Sequence, residues 1–117
     1  MRKRHCYNEI TLLRDYSQRL YKEYLNSDKK FIYASILREI NGRLYERLHE
    51  GLRFLEGNSH IDAIELMLHL NVWMTIWDYE YEEQKPGLRD VFTFKNDVNF
   101  PKENVNQLLS ELANFGE

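Results

Sequence analysis

The chain has 117 residues, 43% hydrophobic and 30% charged, which suits one globular domain burying about two-thirds of its unfolded surface. Five glycines and two prolines are too few for a turn-rich β fold or for disorder, and charges interrupt every apolar run before the ~20 residues of a membrane span. The net charge of −3 conceals a split: residues 1–57 hold 12 Lys/Arg against 8 Asp/Glu, and residues 58–117 hold 4 against 11. Halves of opposite sign that fold onto one another satisfy much of this asymmetry internally.

The opening Met1-Arg2-Lys3-Arg4-His5 has the charge of a signal peptide, but Cys6-Tyr7-Asn8-Glu9 follows where an apolar stretch is required. Secretion is therefore not expected. The lone Cys6 cannot form an internal disulfide, which fits a cytoplasmic protein, and it reads as part of a terminal tail.

The first predicted helix covers about residues 7–25, with Ile10, Leu13, Tyr16, Leu20 and Tyr24 stepping by three or four. Asn26-Ser27-Asp28 follows as a turn whose side-chain oxygens can cap the next helix. The second helix, about residues 29–56, carries Tyr33, Leu37, Ile40, Leu44, Leu48, Leu52 and Leu55 on one stripe. Gly42 and Gly51 interrupt it, either to admit a neighbouring helix or to bend the rod near Gly51.

Gly57-Asn58 ends that helix, and Ser59 with Asp62 has the spacing of a capping box for the third. So short a connection makes helices two and three an antiparallel hairpin. The third helix persists to about residue 83, where Lys85-Pro86-Gly87 stops it. Residues 88–101 then lose the helical period: Val91-Phe92-Thr93-Phe94 and Val98-Asn99-Phe100 flank Lys95-Asn96-Asp97 as either a small β-hairpin or an extended flap anchored by phenylalanines. Pro101 suits the start of a last helix bearing Val105, Leu108, Leu109, Leu112 and Phe115. The expected fold is all-α, an up-down four-helix bundle with that excursion between helices three and four.

No motif specific to an enzyme stands out. There is no Gly-rich phosphate loop, no Cys-x-x-Cys, no His-Glu-x-x-His and no Gly-x-Ser-x-Gly. Glu46 and His49 form one Glu-x-x-His pair that could converge with Glu65 and His69, but a carboxylate-bridged di-metal site wants a second such pair. No metal or other cofactor is assigned. Arg43 with His49, and more loosely Arg53 with His60, have the arginine-to-histidine spacing of HEPN-type helical ribonucleases. Leu44 stands where that family often has a polar residue, and Arg43 and His49 point about 120° apart on a helix, so membership is not assigned. Basic side chains from Arg2 to Lys22 alternate with tyrosines, yet Glu9, Asp15 and Glu23 dilute them, and nucleic-acid binding is not expected.

The functional signal lies in the third helix. Its polar stripe of Asp62, Glu65 and His69 stops early, and from Val72 to Trp77 only Thr75 is polar. Such a helix has more apolar circumference than one core needs. Val72, Trp73, Ile76 and Trp77 are thus expected to face a second copy or one protein partner, since tryptophan and tyrosine are enriched at binding hot spots. The following Tyr79, Glu80, Tyr81, Glu82 and Glu83 join Asp78 in an acidic, aromatic helix end. That end suits a basic partner, as an immunity- or antitoxin-like inhibitor would require, and opposes the helix dipole. The competing expectation is that Phe92, Phe94 and Phe100 cover the tryptophans from within.

Overall fold

A computed structural model of the chain describes residues 2–95 and 100–114, and these are all-helical apart from their connections. Four α-helices follow in order: α1 (Lys3–Asn26), α2 (Phe31–Gly51), α3 (Gly57–Gln84) and α4 (Lys102–Asn114). A single 3-10 turn, Leu52–Phe54, joins α2 to α3. One apolar cluster runs through all four helices, and the described residues extend 45 × 24 × 22 Å.

Helix α1 starts four residues earlier than its apolar stripe suggests. The added turn places Cys6 and Tyr7 in the core, with Ile10, Leu13, Leu20 and Tyr24 beyond them on the same side. Cys6 is therefore a core residue, fully shielded, with its thiol donating to the Arg47 carbonyl at 3.4 Å. It is not part of a tail. Burial, and next the Glu50 carboxylate, raise its pKa above the ordinary thiol value.

Helix α2 buries Phe31, Ala34, Leu37, Ile40, Leu44 and Leu48, close to the stripe read from the sequence, but ends at Gly51. α1 packs closely on that glycine: a Cβ there would sit 3.3 Å from both Cys6 Sγ and Ile10 Cδ1, so a larger residue would require those side chains to give by a few tenths of an ångström. Gly42 meets no backbone and only the Arg38 side chain. Leu52–Phe54 then tightens into the 3-10 turn, and Gly57 at φ 58° starts α3.

The expected capping box does not form. Ser59 and Asp62 lie inside α3 and are buried, and the N-cap, Glu56, makes no side-chain cap. Asp62 instead accepts from Asn104 Nδ2 at 2.7 Å, a polar tie between α3 and α4. At the other end of α3, Lys85 adopts the left-handed conformation with φ 45°, its amide bonded to the Tyr81 carbonyl at 2.9 Å, and Pro86 prevents continuation.

The segment after α3 turns at residues 87–90, where the Asp90 amide donates to the Gly87 carbonyl at 3.0 Å, and then runs on without regular structure to residue 95. No strand forms among the described residues, and Val91 makes a lone antiparallel bridge with Lys30, so the β-hairpin is not seen. The Asn96-Asp97 turn and the Val98-Asn99 arm lie outside the described residues, as does Phe115. The segment's backbone caps α2. The carbonyls of Asp90 and Leu88 accept from the orphan amides of Phe31 and Ile32 at 2.8 and 3.0 Å, while Ser27 Oγ accepts from the Lys30 amide at 3.2 Å. The flap thus supplies most of what the turn side chains alone were expected to do. In α4, Val105, Leu108 and Leu112 face the core. No helix among the described residues is long and apolar enough to cross a membrane.

Candidate functional site on the third helix

Helix α3 has two apolar faces. Ala63, Leu66, Leu70, Trp73 and Trp77 are buried on one side. At ~100° per residue, Ile61, Leu68, Val72 and Tyr79 project within roughly 20° of a common direction on the opposite side, with Ile64 and Ile76 on the two shoulders. Ile61, Leu68 and Tyr79 are 56%, 57% and 64% exposed, Ile64 is exposed, and Val72 and Ile76 are half-buried. The surplus circumference is real, but aliphatic residues and one tyrosine carry it.

The tryptophans point inward. Trp77 and Trp73 are only 6% and 8% exposed. Trp77 stacks on Tyr81 with ring centroids 5.5 Å apart, and meets Phe92 at 5.0 Å and Phe31 at 5.8 Å. Trp73 meets Phe94 edge-on at 5.5 Å. The chain's own phenylalanines cover both indoles. Phe92 itself is fully buried, and backbone bonds hold it: its amide donates to the Lys29 carbonyl at 2.9 Å, and the Tyr24 hydroxyl donates to its carbonyl. Burial, and next the neighbouring Tyr21, drive the Tyr24 pKa up to about 12. Gln84 Nε2 secures the next stretch through the Thr93 carbonyl at 2.6 Å. The indole N–H of Trp77 finds no acceptor among the described residues.

The acidic end of α3 is partly neutralised from within. Arg38 grips Asp78 bidentately, Nε and Nη2 donating to its two carboxylate oxygens at 2.9 and 3.0 Å. Glu80 accepts from Gln84 at 3.3 Å, and Tyr81 lies over Trp77 and Phe31. Tyr79, Glu82 and Glu83 remain exposed.

The residues considered for a metal are not brought together. Among the described residues no three His, Cys, Asp or Glu side chains stand close enough to hold an ion. Glu46, His49 and Glu65 are exposed, whereas His69 sits edge-on to Phe100 at 5.1 Å. Arg43 turns to Glu39 at 3.0 Å rather than toward His49. Of the basic residues on α1, Arg19 pairs with Asp15 at 3.3 Å and Arg14 lies over the Phe100 ring at 4.7 Å.

Between α1, α2 and α3 lies a cleft of about 530 Å³, lined among others by Arg14, Ser17, Asn41, His69, Trp73 and Phe94. Its floor is polar: Ser17 Oγ donates to Asn41 Oδ1 at 2.5 Å, and both residues are buried. Sequence reading passed over this pair. The signal was present, because Ser17 falls between Leu13 and Leu20, and Asn41 between Leu37 and Leu44, on stripes otherwise apolar. A polar residue in such a register needs a partner or a role.

No protein-family model, curated protein or solved structure matches this chain.

Proposed function

We propose that this chain is a small non-enzymatic protein of the cytoplasm, an up-down four-helix bundle that pairs with a second copy of itself through the outward face of α3. The observation that carries this reading is the exposed stripe of Ile61, Ile64, Leu68 and Tyr79, continued by the half-buried Val72 and Ile76. Contiguous apolar patches of that kind on a folded surface mark interaction sites. The face supports a like partner because it is palindromic along the helix. Leu68 and Val72, Ile64 and Ile76, and Ile61 and Tyr79 stand at equal distances on either side of Leu70. Two copies crossed antiparallel at that height set Ile61 of one against Tyr79 of the other, with Leu68 and Val72 around the two-fold axis.

Charge agrees with this arrangement. Glu82 and Glu83 of one copy approach the start of the other's α3, whose first amides have no side-chain cap and carry the positive end of the dipole. At 28 residues α3 is about 42 Å long and ~10 Å wide, roughly 400 Å² in projection, so the flanks must add area to reach the ~800 Å² per copy of a standard interface. The expected dissociation constant is therefore on the order of micromolar.

Sedimentation and light scattering across a concentration series test this. A monomer–dimer equilibrium is expected, and Leu68→Glu should leave only monomer with the helical signal unchanged. A native chain that stays monomeric up to ~1 mM overturns the reading. If that monomer instead captures a basic protein in a salt-sensitive way that E82Q and E83Q abolish, the acidic end of α3 is the functional surface and the chain acts as an inhibitor.

A further inference from the structure

The cleft between α1, α2 and α3 has the chemistry of a ligand site, and it lies on the core side of α3, away from the face assigned to dimerisation. Three observations converge there. First, Arg14 makes no ion pair among the described residues, and its Nε is shielded from water without an acceptor. Its guanidinium carbon lies 4.7 Å from the Phe100 ring centroid, a cation–π contact that holds the group without neutralising it. Burial lowers its pKa from the ordinary arginine value, the direction expected of a cation taken partly out of water. Second, Asn41 is 6% exposed and accepts from Ser17 through Oδ1, yet its Nδ2 donates to no described group. That amide is not sealed from solvent and stands open to an acceptor in the cleft. Third, the remaining wall is apolar and ring-rich, with Trp73 and Phe94 edge-to-face at 5.5 Å. The volume of about 530 Å³ falls within the ~300–1,000 Å³ of small-molecule sites.

From these we infer that the cleft binds a small organic carboxylate with a flat aromatic body, its carboxylate held by Arg14 and the Asn41 amide and its ring against Trp73 and Phe94. One fork-shaped cation and one neutral donor match a singly charged, planar acceptor. A phosphate would call for more concentrated positive charge. The aromatic walls favour a ring over an alkyl chain, because ring edges and faces pair specifically.

1-Naphthoate, its neutral counterpart 1-naphthamide, and decanoate serve as probes with the full chain. Titration into isotope-labelled protein should shift the Asn41 side-chain amide, the Arg14 Nε–H and the Trp73 indole signals together and saturably. Arg14→Gln should weaken naphthoate about tenfold or more while leaving naphthamide within about twofold. Arg14→Lys, which keeps the charge and loses the fork, should lose part of the naphthoate affinity and none of the naphthamide affinity. Its behaviour decides the matter if the glutamine variant fails to fold. Equal affinity of the native chain for acid and amide overturns the carboxylate assignment. Tighter binding of decanoate than of naphthoate overturns the aromatic body. Absence of any saturable shift at these three groups up to about 10 mM overturns the site itself. None of these outcomes depends on whether the chain dimerises.

Discussion

The two faces of α3 share a residue-type vocabulary and differ in everything else. The inner face, with Leu66, Leu70, Trp73 and Trp77, is closed by α2 and by Phe92 and Phe94 from the following segment. On the outer face Ile61, Leu68 and Tyr79 stay exposed and Val72 half-buried among the described residues. The larger aromatic residues, which composition alone would nominate for recognition, are the ones the fold consumes. The contrast teaches that surplus apolar circumference on a helix is a sound indicator of a second surface, but residue size does not say which side it is. What decides is where the following chain returns.

The largest expected effect comes from opening the inner face. Trp77→Ala removes an indole packed against three rings and should destabilise the fold by about 3–5 kcal/mol, measured by urea unfolding. If that cost were under ~1 kcal/mol, the inner face would not be a core at all.

A smaller effect follows from loosening the cover. Tyr24→Phe deletes the hydroxyl bonded to the Phe92 carbonyl and leaves that acceptor buried, a loss of about 1–2 kcal/mol. The same bond has a pH signature. The Tyr24 pKa is raised from its ordinary value of 10 to about 12 in the folded state, so its contribution is complete below pH 10 and lost as pH rises from 10 to 12. Melting temperatures should fall across that window in the native chain. In Tyr24→Phe the same fall should be shallower.

The outer face is expected to respond in the opposite way. Leu68→Ser should change monomer stability by no more than about 0.5 kcal/mol, because the side chain is already in water, while it shifts the dimer equilibrium. A loss as large as that of Trp77→Ala would erase the distinction between the faces.

The smallest expected effect is electrostatic and distant from α3. Arg47, bonded to Glu9 at 2.6 Å, holds that carboxyl below its ordinary value. The stabilisation is present above the unfolded carboxylate range and lost as pH falls through the lower folded pKa. Glu9→Gln should therefore lower the melting temperature slightly at neutral pH, flatten the acid limb, and converge with the native chain below the folded Glu9 pKa.

Much of the fold could be read directly because helices announce themselves locally. The stripes Ile10–Leu13–Leu20 and Leu37–Leu44–Leu48 repeat at the helical period, and Lys85-Pro86 is a physical stop. Boundaries failed where a neighbour decided them. The sequence around Cys6 looks like a tail until Gly51 lets α1 and α2 close over it. Ser59 and Asp62 have the spacing of a cap, but Asn104 from α4 takes the aspartate. The cleft was marked only by two polar residues on otherwise apolar stripes, Ser17 and Asn41, which come from different helices and meet through a single hydrogen bond.

Periodicity by itself determined four helices and the fact that α3 carries more apolar surface than one side can bury. These are consequences of spacing along one chain segment, and spacing is local information. Tertiary structure alone decided that the indoles are core and the aliphatic stripe is surface, and that Arg14 and Asn41 share a cleft. Burial is a property of pairs of segments far apart in the chain, and no single segment contains it.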